Sequence, residues 1–422
     1  MFDLIAALPI ASALAVVFYG LVVAFVFLPG FQARADSWLS MPTPSTKESI
    51  SPLDSLRGLA ALMIAVFHTW QWSAPMYTPL YDLLPFLSRG AKAVPIFVAL
   101  SGFLIYRSLL RVRHLEQLRR YALRRFLRIY PAYAVTLLAA LAVGLFDGRT
   151  PVFQHLLAEF TMVRMFGFDG LANPPLWSLY VEVLFYLVAP VFVVLITPLN
   201  RRSRIAIFIA AALGLLLVDF AGPRELALWK YFFFGFLASE LTDVWRDRAS
   251  ERMSVVLFFV GFVLLVLDLG FGEIWFSNLM NAIFTKNGLP LIMPRGGGTN
   301  PDFTFGLGVA AMFLIVGVSL SNGKLCQSLS ARPLRYLGVV SYRVFLWHSI
   351  VIMADLGDAG MAFSAQGLLM SGPNLGHAPI WFLPLVMVPA ILTVSIASFV
   401  LIERPFLHLR PGTYEPPSER QP

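Results

Sequence analysis

The chain has 422 residues, of which 58% are hydrophobic and only 13% are charged, and its formal net charge is +8. Soluble domains carry about 25% charged residues, so this composition excludes a soluble globular protein. The single cysteine, Cys326, excludes an internal disulfide framework and does not suggest a metal cluster. We therefore expect an all-α, polytopic membrane helical bundle.

Apolar segments follow one another along the chain, and a membrane-spanning helix needs about 20 apolar residues to cross a hydrocarbon core of roughly 30 Å. We predict eleven such helices. The predicted spans lie near residues 4–28, 55–72, 93–110, 129–146, 176–198, 205–220, 227–243, 254–270, 303–320, 336–354 and 379–402. The connections between them are too short to hold a separate soluble domain.

The basic residues determine the predicted orientation. Eight arginines lie between Arg107 and Arg128, and the positive-inside rule places this segment in the cytoplasm. If successive connections between the spans lie on alternate sides of the membrane, 24 of the 32 Lys and Arg residues lie on the cytoplasmic side and 8 on the other. This orientation predicts an external N-terminus, a cytoplasmic linker at 31–51 and a cytoplasmic tail at 407–422. It also accounts for the basic charge, so no nucleic-acid partner is expected.

The first apolar segment has two interpretations. The sequence Ala-Arg-Ala at 33–35 resembles a signal-peptide cleavage site. However, the residues before the apolar run include the acidic Asp3 and no basic residue, and the apolar run is too long for a signal peptide. We therefore favour a retained transmembrane helix at 1–30 over a cleaved leader.

Two ionisable side chains, Arg57 and His68, lie on the second predicted span. Eleven residues make three helical turns to within about 20°, so both share one face, with His68 about 16 Å further along the axis. Ionisable groups in lipid are costly and usually face a protein interior or a watery cavity. A neutral imidazole in such a place can accept a proton. A histidine that bonds a neighbouring carbonyl and only packs the bundle gives the same pattern.

Ser178, Glu182 and Tyr186 recur every four residues and form one polar stripe on the span that starts near residue 176. This span enters from the outside, so Glu182 is about 9 Å in from the outer face. His68 reaches a similar depth from the inside, and a carboxylate there could orient the imidazole and stabilise its charged form. The alternative is a structural carboxylate that pairs with an arginine.

Ser341 and His348 are seven residues apart on the tenth span and share a face. His348 lies about 18 Å from the cytoplasmic start of its span, close to the expected depth of His68. Two histidines and a glutamate at one level predict a polar chamber. A histidine that only bridges two helices is the alternative.

The basic segment before the fourth span carries Arg124, Arg125 and Arg128, whose guanidinium forks match phosphate oxygens well. The positive-inside bias and attraction to anionic lipid would also supply these arginines. No close His, Cys and carboxylate spacing of the zinc kind is present in the spans, so we predict no metal site. The four histidines to which we assign no role are His114, His155, His377 and His408.

Taken together, these groups resemble acyltransferase family 3, the integral membrane O-acyltransferases that acylate bacterial O-antigens, exopolysaccharides and macrolides. Six pieces resemble the family's motifs in the right order across residues 52–406. They are LDSLRGLAALMIAVFH, VPIFVALSGFLI, RRFLRIYPAY, WSLYVEVLFYL, LGVVSYRVFLWH and IERP. The apolar span before residue 30 is a departure from the pattern and receives no role from it.

The resemblance implies a ten-helix acyltransferase domain at 52–406, preceded here by one extra helix, in the bacterial cytoplasmic (inner) membrane. It implies acyl transfer from acyl-CoA, most often acetyl-CoA, to a hydroxyl of a sugar or related acceptor, with no permanently bound cofactor. No esterase-like domain follows in this sequence, so we expect the membrane domain, or a partner in surface-polysaccharide assembly, to complete the transfer.

The resemblance also assigns roles to the polar residues. His68 is the general base and Glu182 orients it or stabilises its charge. The acyl-CoA-binding residues are Arg57, Arg124, Arg125 and Arg128, and the acceptor path is lined by Ser178, Tyr186, Ser341 and His348. Whether the acyl group passes directly or rests first on Ser101 or His68 stays open. A proton-coupled transporter and a scaffold for polysaccharide assembly are the competing classes.

Overall fold

The computed structural model describes residues 9–39, 52–73, 89–146, 153–162, 176–221, 228–286, 304–356, 363–364, 367–368 and 382–408. The first helices are α1 (Pro9–Phe27), α2 (Pro29–Leu39), α3 (Pro52–Ser73), α4 (Ala93–Leu109, after a 3₁₀ turn at Gly90–Lys92), α5 (Leu115–Phe146), α6 (Phe153–Phe160), α7 (Trp177–Ile196) and α8 (Arg201–Ala221). The remaining helices are α9 (Trp229–Trp245), α10 (Glu251–Lys286), α11 (Phe305–Leu320), α12 (Lys324–Leu329), α13 (Arg332–Leu356), α14 (Phe382–Ser398) and α15 (Arg404–His408), with a π-helical turn at Phe399–Glu403. Strands β1 (Phe363–Ser364) and β2 (Gly367–Leu368) form a minimal antiparallel pair.

The predicted all-α membrane bundle is confirmed, and each of the eleven predicted spans overlaps a described helix. Seven described helices are long and apolar enough to cross a bilayer, which makes this a multi-pass membrane protein. Helix α11 is also apolar but has only 16 residues. Helix α7 has one exposed apolar face and one buried face, since Leu187, Val191 and Leu195 are exposed while Val181 and Phe185 are buried.

Glycines allow several neighbouring helices to touch through their backbones. A Cβ atom added to Gly102 of α4 would lie 2.5 Å from the carbonyl oxygen of Phe232 in α9, and one added to Gly235 would lie 2.1 Å from that of Ala99. The same holds for α3 and α13, where a Cβ on Gly58 would lie 2.7 Å from the backbone nitrogen of Gly338. Membrane helices pack closely where small residues let their backbones approach.

The N-terminal segment is part of the folded bundle. Thr393 of α14 donates a hydrogen bond to the carbonyl of Leu14 (3.0 Å), and Tyr19 donates one to that of Leu385 (2.8 Å), so α1 packs on α14. Helix α2 then places Asp36 against the first turns of α13. Residues 31–39, the first part of the predicted linker at 31–51, are therefore helical, while residues 40–51 and 409–422 lie outside the described part of the chain.

Candidate active site

The two predicted intramembrane histidines meet. The Nδ1 atom of His68 lies 2.9 Å from the Nε2 atom of His348, and the rings stack with centroids 4.9 Å apart and planes 11° apart. His348 has no exposed surface, whereas His68 is only partly buried. The structure thus brings together the predicted base, His68, and His348, which is predicted to lie on the acceptor path.

The packing of α3 against α13 explains why the histidines meet. The two helices touch at Gly58 and Gly338, and each histidine lies ten residues beyond its own glycine. Because both helices rise about 1.5 Å per residue in the same direction, equal offsets of about 15 Å bring His68 and His348 to one level. The spacing Gly-x9-His on both helices is the sequence signal for this contact, and the sequence-based predictions did not include it.

Glu182 takes part in a different set of contacts. Its Oε1 atom accepts hydrogen bonds from the hydroxyl of Ser101 (2.5 Å) and from the hydroxyl of Tyr186. Ser101 is buried on α4, one residue before the glycine that contacts α9. Among the described residues, the hydrogen-bond partners of Glu182 are these hydroxyls and not the imidazole of His68. A catalytic role for Glu182 stays a prediction.

The basic motif reaches further into the bundle than the sequence suggested. Helix α5 runs without a break from Leu115 to Phe146, so it begins well before the span predicted from residue 129 and contains Pro131 in its interior. The guanidinium of Arg125 lies over the rings of Tyr121 and Tyr186, 5.5 and 5.2 Å from their centroids. Tyr186 is about 14 Å along α7 from its first residue, so Arg125 contacts the middle of that helix. Tyr186, predicted on the acceptor path, therefore lies with the predicted donor residues.

Arg57 lies on the same side of the bundle. Only 7% of its side chain is exposed, and its guanidinium lies 3.2 Å from the carboxylate of Asp54, with which it forms an ion pair. It is also within electrostatic range of Arg128 and Glu182. Cations held near one another form a site that favours an anionic ligand. Arg124 is partly buried on α5.

The two predicted serines are buried. Ser341 donates its hydroxyl to the carbonyl of Gly338 at 2.8 Å, a bond within its own helix, and Ser178 lies at the start of α7 with little exposed surface. The structure does not join either hydroxyl to the histidine pair through a described hydrogen bond. Their place on an acceptor path stays a prediction.

Sequence reasoning missed a buried ion pair on the helix that carries His348. Arg343, five residues before His348, pairs with Glu403 of the IERP segment, and both side chains are almost fully buried. The guanidinium also lies 4.7 Å from the centroid of the Phe399 ring in the π-helical turn. An arginine inside a predicted span and a glutamate at the end of the last span were the available signals.

Comparison with known proteins identifies the family. Residues 50–404 match the family described as the acyltransferase domain. The peptidoglycan O-acetyltransferase OatA of Listeria monocytogenes is 23% identical over 397 residues, which cover 86% of this chain and 56% of the relative. The exopolysaccharide production protein ExoZ of Rhizobium meliloti is 26% identical over 334 residues, 75% of this chain and 90% of the relative.

A third relative, the acyltransferase MdmB of Streptomyces mycarofaciens, is 32% identical over 179 residues, 38% of this chain and 44% of that protein. The chain spans about half the length of the first curated relatives it matches. No solved structure matches it. The family match extends over most of the chain, which confirms the resemblance drawn from its motifs: the chain belongs to the acyltransferase domain family of membrane proteins.

Proposed function

We propose that this chain is an O-acyltransferase that moves an acyl group, in the simplest case acetyl, from cytoplasmic acyl-CoA to a hydroxyl of a sugar-containing acceptor. The observation that carries the proposal is the arrangement on α3. One end of this helix holds Arg57 within electrostatic range of Arg128, and the other holds His68 against His348. A group that favours phosphate and a group that accepts protons thus lie on one helix face about 16 Å apart.

The proposed chemistry is a direct transfer. His68 takes the proton of the acceptor hydroxyl while the oxygen attacks the thioester carbonyl carbon, the carbon–sulfur bond breaks, and CoA leaves as a thiolate that then receives the proton. A neutral alcohol is a poor nucleophile, and general-base help typically contributes about 10²- to 10⁴-fold in rate. A resting ester on Ser101 is the alternative route to the same products.

The arginines are proposed to bind the donor. CoA carries phosphates at its nucleotide end and a slender pantetheine arm at its reactive end. Guanidinium forks bind phosphate oxygens in pairs, and Arg57, Arg125 and Arg128 gather at the α5 side of α3. The predicted orientation puts this side in the cytoplasm, where acyl-CoA is made, while the arm would carry the acyl group towards His68.

The names of the relatives support a proposal for the acceptor class. The Listeria monocytogenes protein is a peptidoglycan O-acetyltransferase by its name, and the Rhizobium meliloti protein is named for exopolysaccharide production. Peptidoglycan and exopolysaccharides are sugar polymers rich in hydroxyls. We therefore propose a surface polysaccharide or its lipid-linked precursor as the acceptor, at the bacterial inner membrane.

The test is CoA release from acetyl-CoA by the full chain reconstituted in liposomes, with candidate acceptor sugars on the opposite face. We expect release that needs both an acceptor and His68. His68→Ala should reduce the rate at least about 100-fold, the lower limit of typical general-base help. His114→Ala is the matched control, because His114 is exposed beyond α4 and has no assigned role.

The competing transporter predicts a different outcome. Buried histidines and carboxylates also build proton relays in transporters. A transporter would move a labelled glycolipid or acyl compound across the liposome membrane in response to a pH gradient, without releasing CoA. Gradient-driven movement with no CoA release from any short acyl-CoA would overturn the acyltransferase proposal.

A further inference from the structure

The contact between the two histidines has a direction. The Nδ1 atom of His348 lies 3.1 Å from the carbonyl oxygen of Val344, one turn earlier in α13. A carbonyl oxygen only accepts hydrogen bonds, so Nδ1 of His348 must carry a proton. In an uncharged imidazole the other nitrogen, Nε2, is then bare and can only accept.

This acceptor faces His68. Because Nε2 of His348 accepts, the proton in the 2.9 Å contact belongs to Nδ1 of His68. The tautomer of a histidine is set by the hydrogen bond of one ring nitrogen, and the second nitrogen is left for chemistry. In the uncharged pair, Nε2 of His68 is therefore the atom able to take a proton.

We propose that His348 is the positioning residue of the reaction: it holds His68 in the Nδ1-protonated form and stabilises the positive charge that develops when Nε2 takes the hydroxyl proton. In hydrolases with a serine, histidine and aspartate triad, a carboxylate on the far nitrogen has this role. Here Glu182, the expected candidate, accepts from Ser101 and Tyr186 instead.

Burial divides the two roles between the histidines. His348 has no exposed surface, whereas His68 is partly accessible, which favours His68 as the ring that meets the substrate. The catalytic meaning of this inference rests on the proposed acyl transfer. The arrangement of protons is independent of the proposed acyl transfer, because it follows from the contacts of His348 with Val344 and His68.

The first experiment reads the tautomer directly. The protein would be labelled with ¹⁵N-histidine, reconstituted in lipid and examined by solid-state NMR, where protonated and bare ring nitrogens resonate far apart. The chain has six histidines, and the spectrum of His68→Ala assigns the signals of His68. We expect a protonated Nδ1 and a bare Nε2 for His68. His348→Leu should shift His68 to the Nε2-protonated form or to a mixture of the two forms. His348→Gln offers an amide oxygen as acceptor, so His68 should keep its Nδ1-protonated form in part.

The second experiment separates positioning from packing. With acetyl-CoA as donor, His348→Leu should lower kcat about 100-fold and leave the donor KM unchanged, because orientation of the base affects the chemical step. The kcat of His348→Gln should be about 10-fold higher than that of His348→Leu. The control is Ser395→Ala, which removes a buried hydroxyl that donates only within α14, and we expect it to leave both parameters unchanged.

The outcomes distinguish this inference from the proposed function. A His68 that carries its proton on Nε2 in the intact protein, or a His348→Leu variant with an unchanged tautomer, would overturn the inference even if acyl transfer is found. The expected tautomer without any acyl transfer would support the proton arrangement and count against the proposed function. If His348→Leu fails to accumulate, the spectra of the intact protein and of His348→Gln decide the question.

Discussion

Alanine in place of Gly338 should pull the two histidines apart. The new Cβ would lie 2.6 Å from both the carbonyl carbon and the carbonyl oxygen of Asp54 in α3. These are backbone atoms, so no rotamer change can relieve the clash, and restoring van der Waals contact at about 3.4 Å requires the helices to separate by about 0.8 Å. The 2.9 Å contact between His68 and His348 would then exceed about 3.5 Å and cease to be a hydrogen bond.

We expect Gly338→Ala to lower kcat by about 10-fold or more with the donor KM nearly unchanged, and to destabilise the fold by about 1–3 kcal/mol, as overpacking commonly does. The assays are CoA release in liposomes and thermal unfolding in detergent. Gly214→Ala is the matched control, since Gly214 lies inside α8 with nothing within 4 Å of the added methyl group. It should be neutral or stabilise the helix by about 0.5–1 kcal/mol.

Gly338→Ala and Gly214→Ala variants that behave alike would contradict the predicted separation of the helices. Equal Tm values would show that α3 and α13 adjust to the added atom at no cost. Unchanged activity despite a lowered Tm would show that the distance between the helices does not control the reaction. Gly58→Ala approaches α13 from the other side and should reproduce the effects of Gly338→Ala.

Two other substitutions concern the predicted donor site and the end of the bundle. Arg125→Lys keeps the charge but loses the planar contacts with Tyr121 and Tyr186, so the KM for acetyl-CoA should rise about 10-fold while kcat changes little in the release assay. Glu403→Gln leaves the buried guanidinium of Arg343 without a countercharge, which typically costs about 3–5 kcal/mol, and thermal unfolding should show a large loss of Tm or little accumulated protein.

Each of these variants has a control on the exposed surface. Arg113→Lys changes an exposed residue just before α5 and should leave the donor KM unaltered. Glu116→Gln removes a carboxylate that is 60% exposed and pairs with Arg120, so its effect on Tm should be close to zero. A donor KM that is equally raised by Arg113→Lys would indicate a general effect of basic charge at the membrane surface.

The helical architecture was predictable because hydropathy and charge can be read locally, from consecutive residues of the sequence. Apolar runs of bilayer length and the arginines from Arg107 to Arg128 are local signals, and each span predicted from them overlaps a described helix. The depth of Arg125 was not predictable in this way, since the positive-inside rule counts a residue as cytoplasmic even when a long helix carries it into the bundle. Only the stacking on Tyr186 shows its position.

Pairing between helices was harder to predict. Similar depths in the membrane predicted that His68, Glu182 and His348 share a chamber. Depth alone does not determine which two of these side chains touch. The contact is decided by where the backbones cross, and the crossing of α3 and α13 depends on Gly58 and Gly338. Small residues carry no hydropathy signal, so a reading based on apolar periodicity overlooks them.

The N-terminal extension received no role from the family resemblance, but its contacts suggest one. The carboxylate of Asp36 accepts hydrogen bonds from Arg335 (2.9 Å) and from the hydroxyl of Tyr336 (2.6 Å), both in the first turns of α13. These contacts attach α2 to the helix that carries His348. Helix α1 adds hydrogen bonds to α14, which also packs on α13.

Removal of residues 1–39 should therefore loosen α13 at its first turns and affect the histidine pair at a distance. We expect a lower Tm and a lower kcat, with the donor KM unchanged because the arginines of α5 are not touched. Asp36→Asn should have part of the effect, a loss of about 1 kcal/mol for a partly exposed charge network. Arg34→Gln on the exposed face of α2 is the control. A truncated protein with full Tm and kcat would show that α13 holds its position through α3 and Glu403 alone.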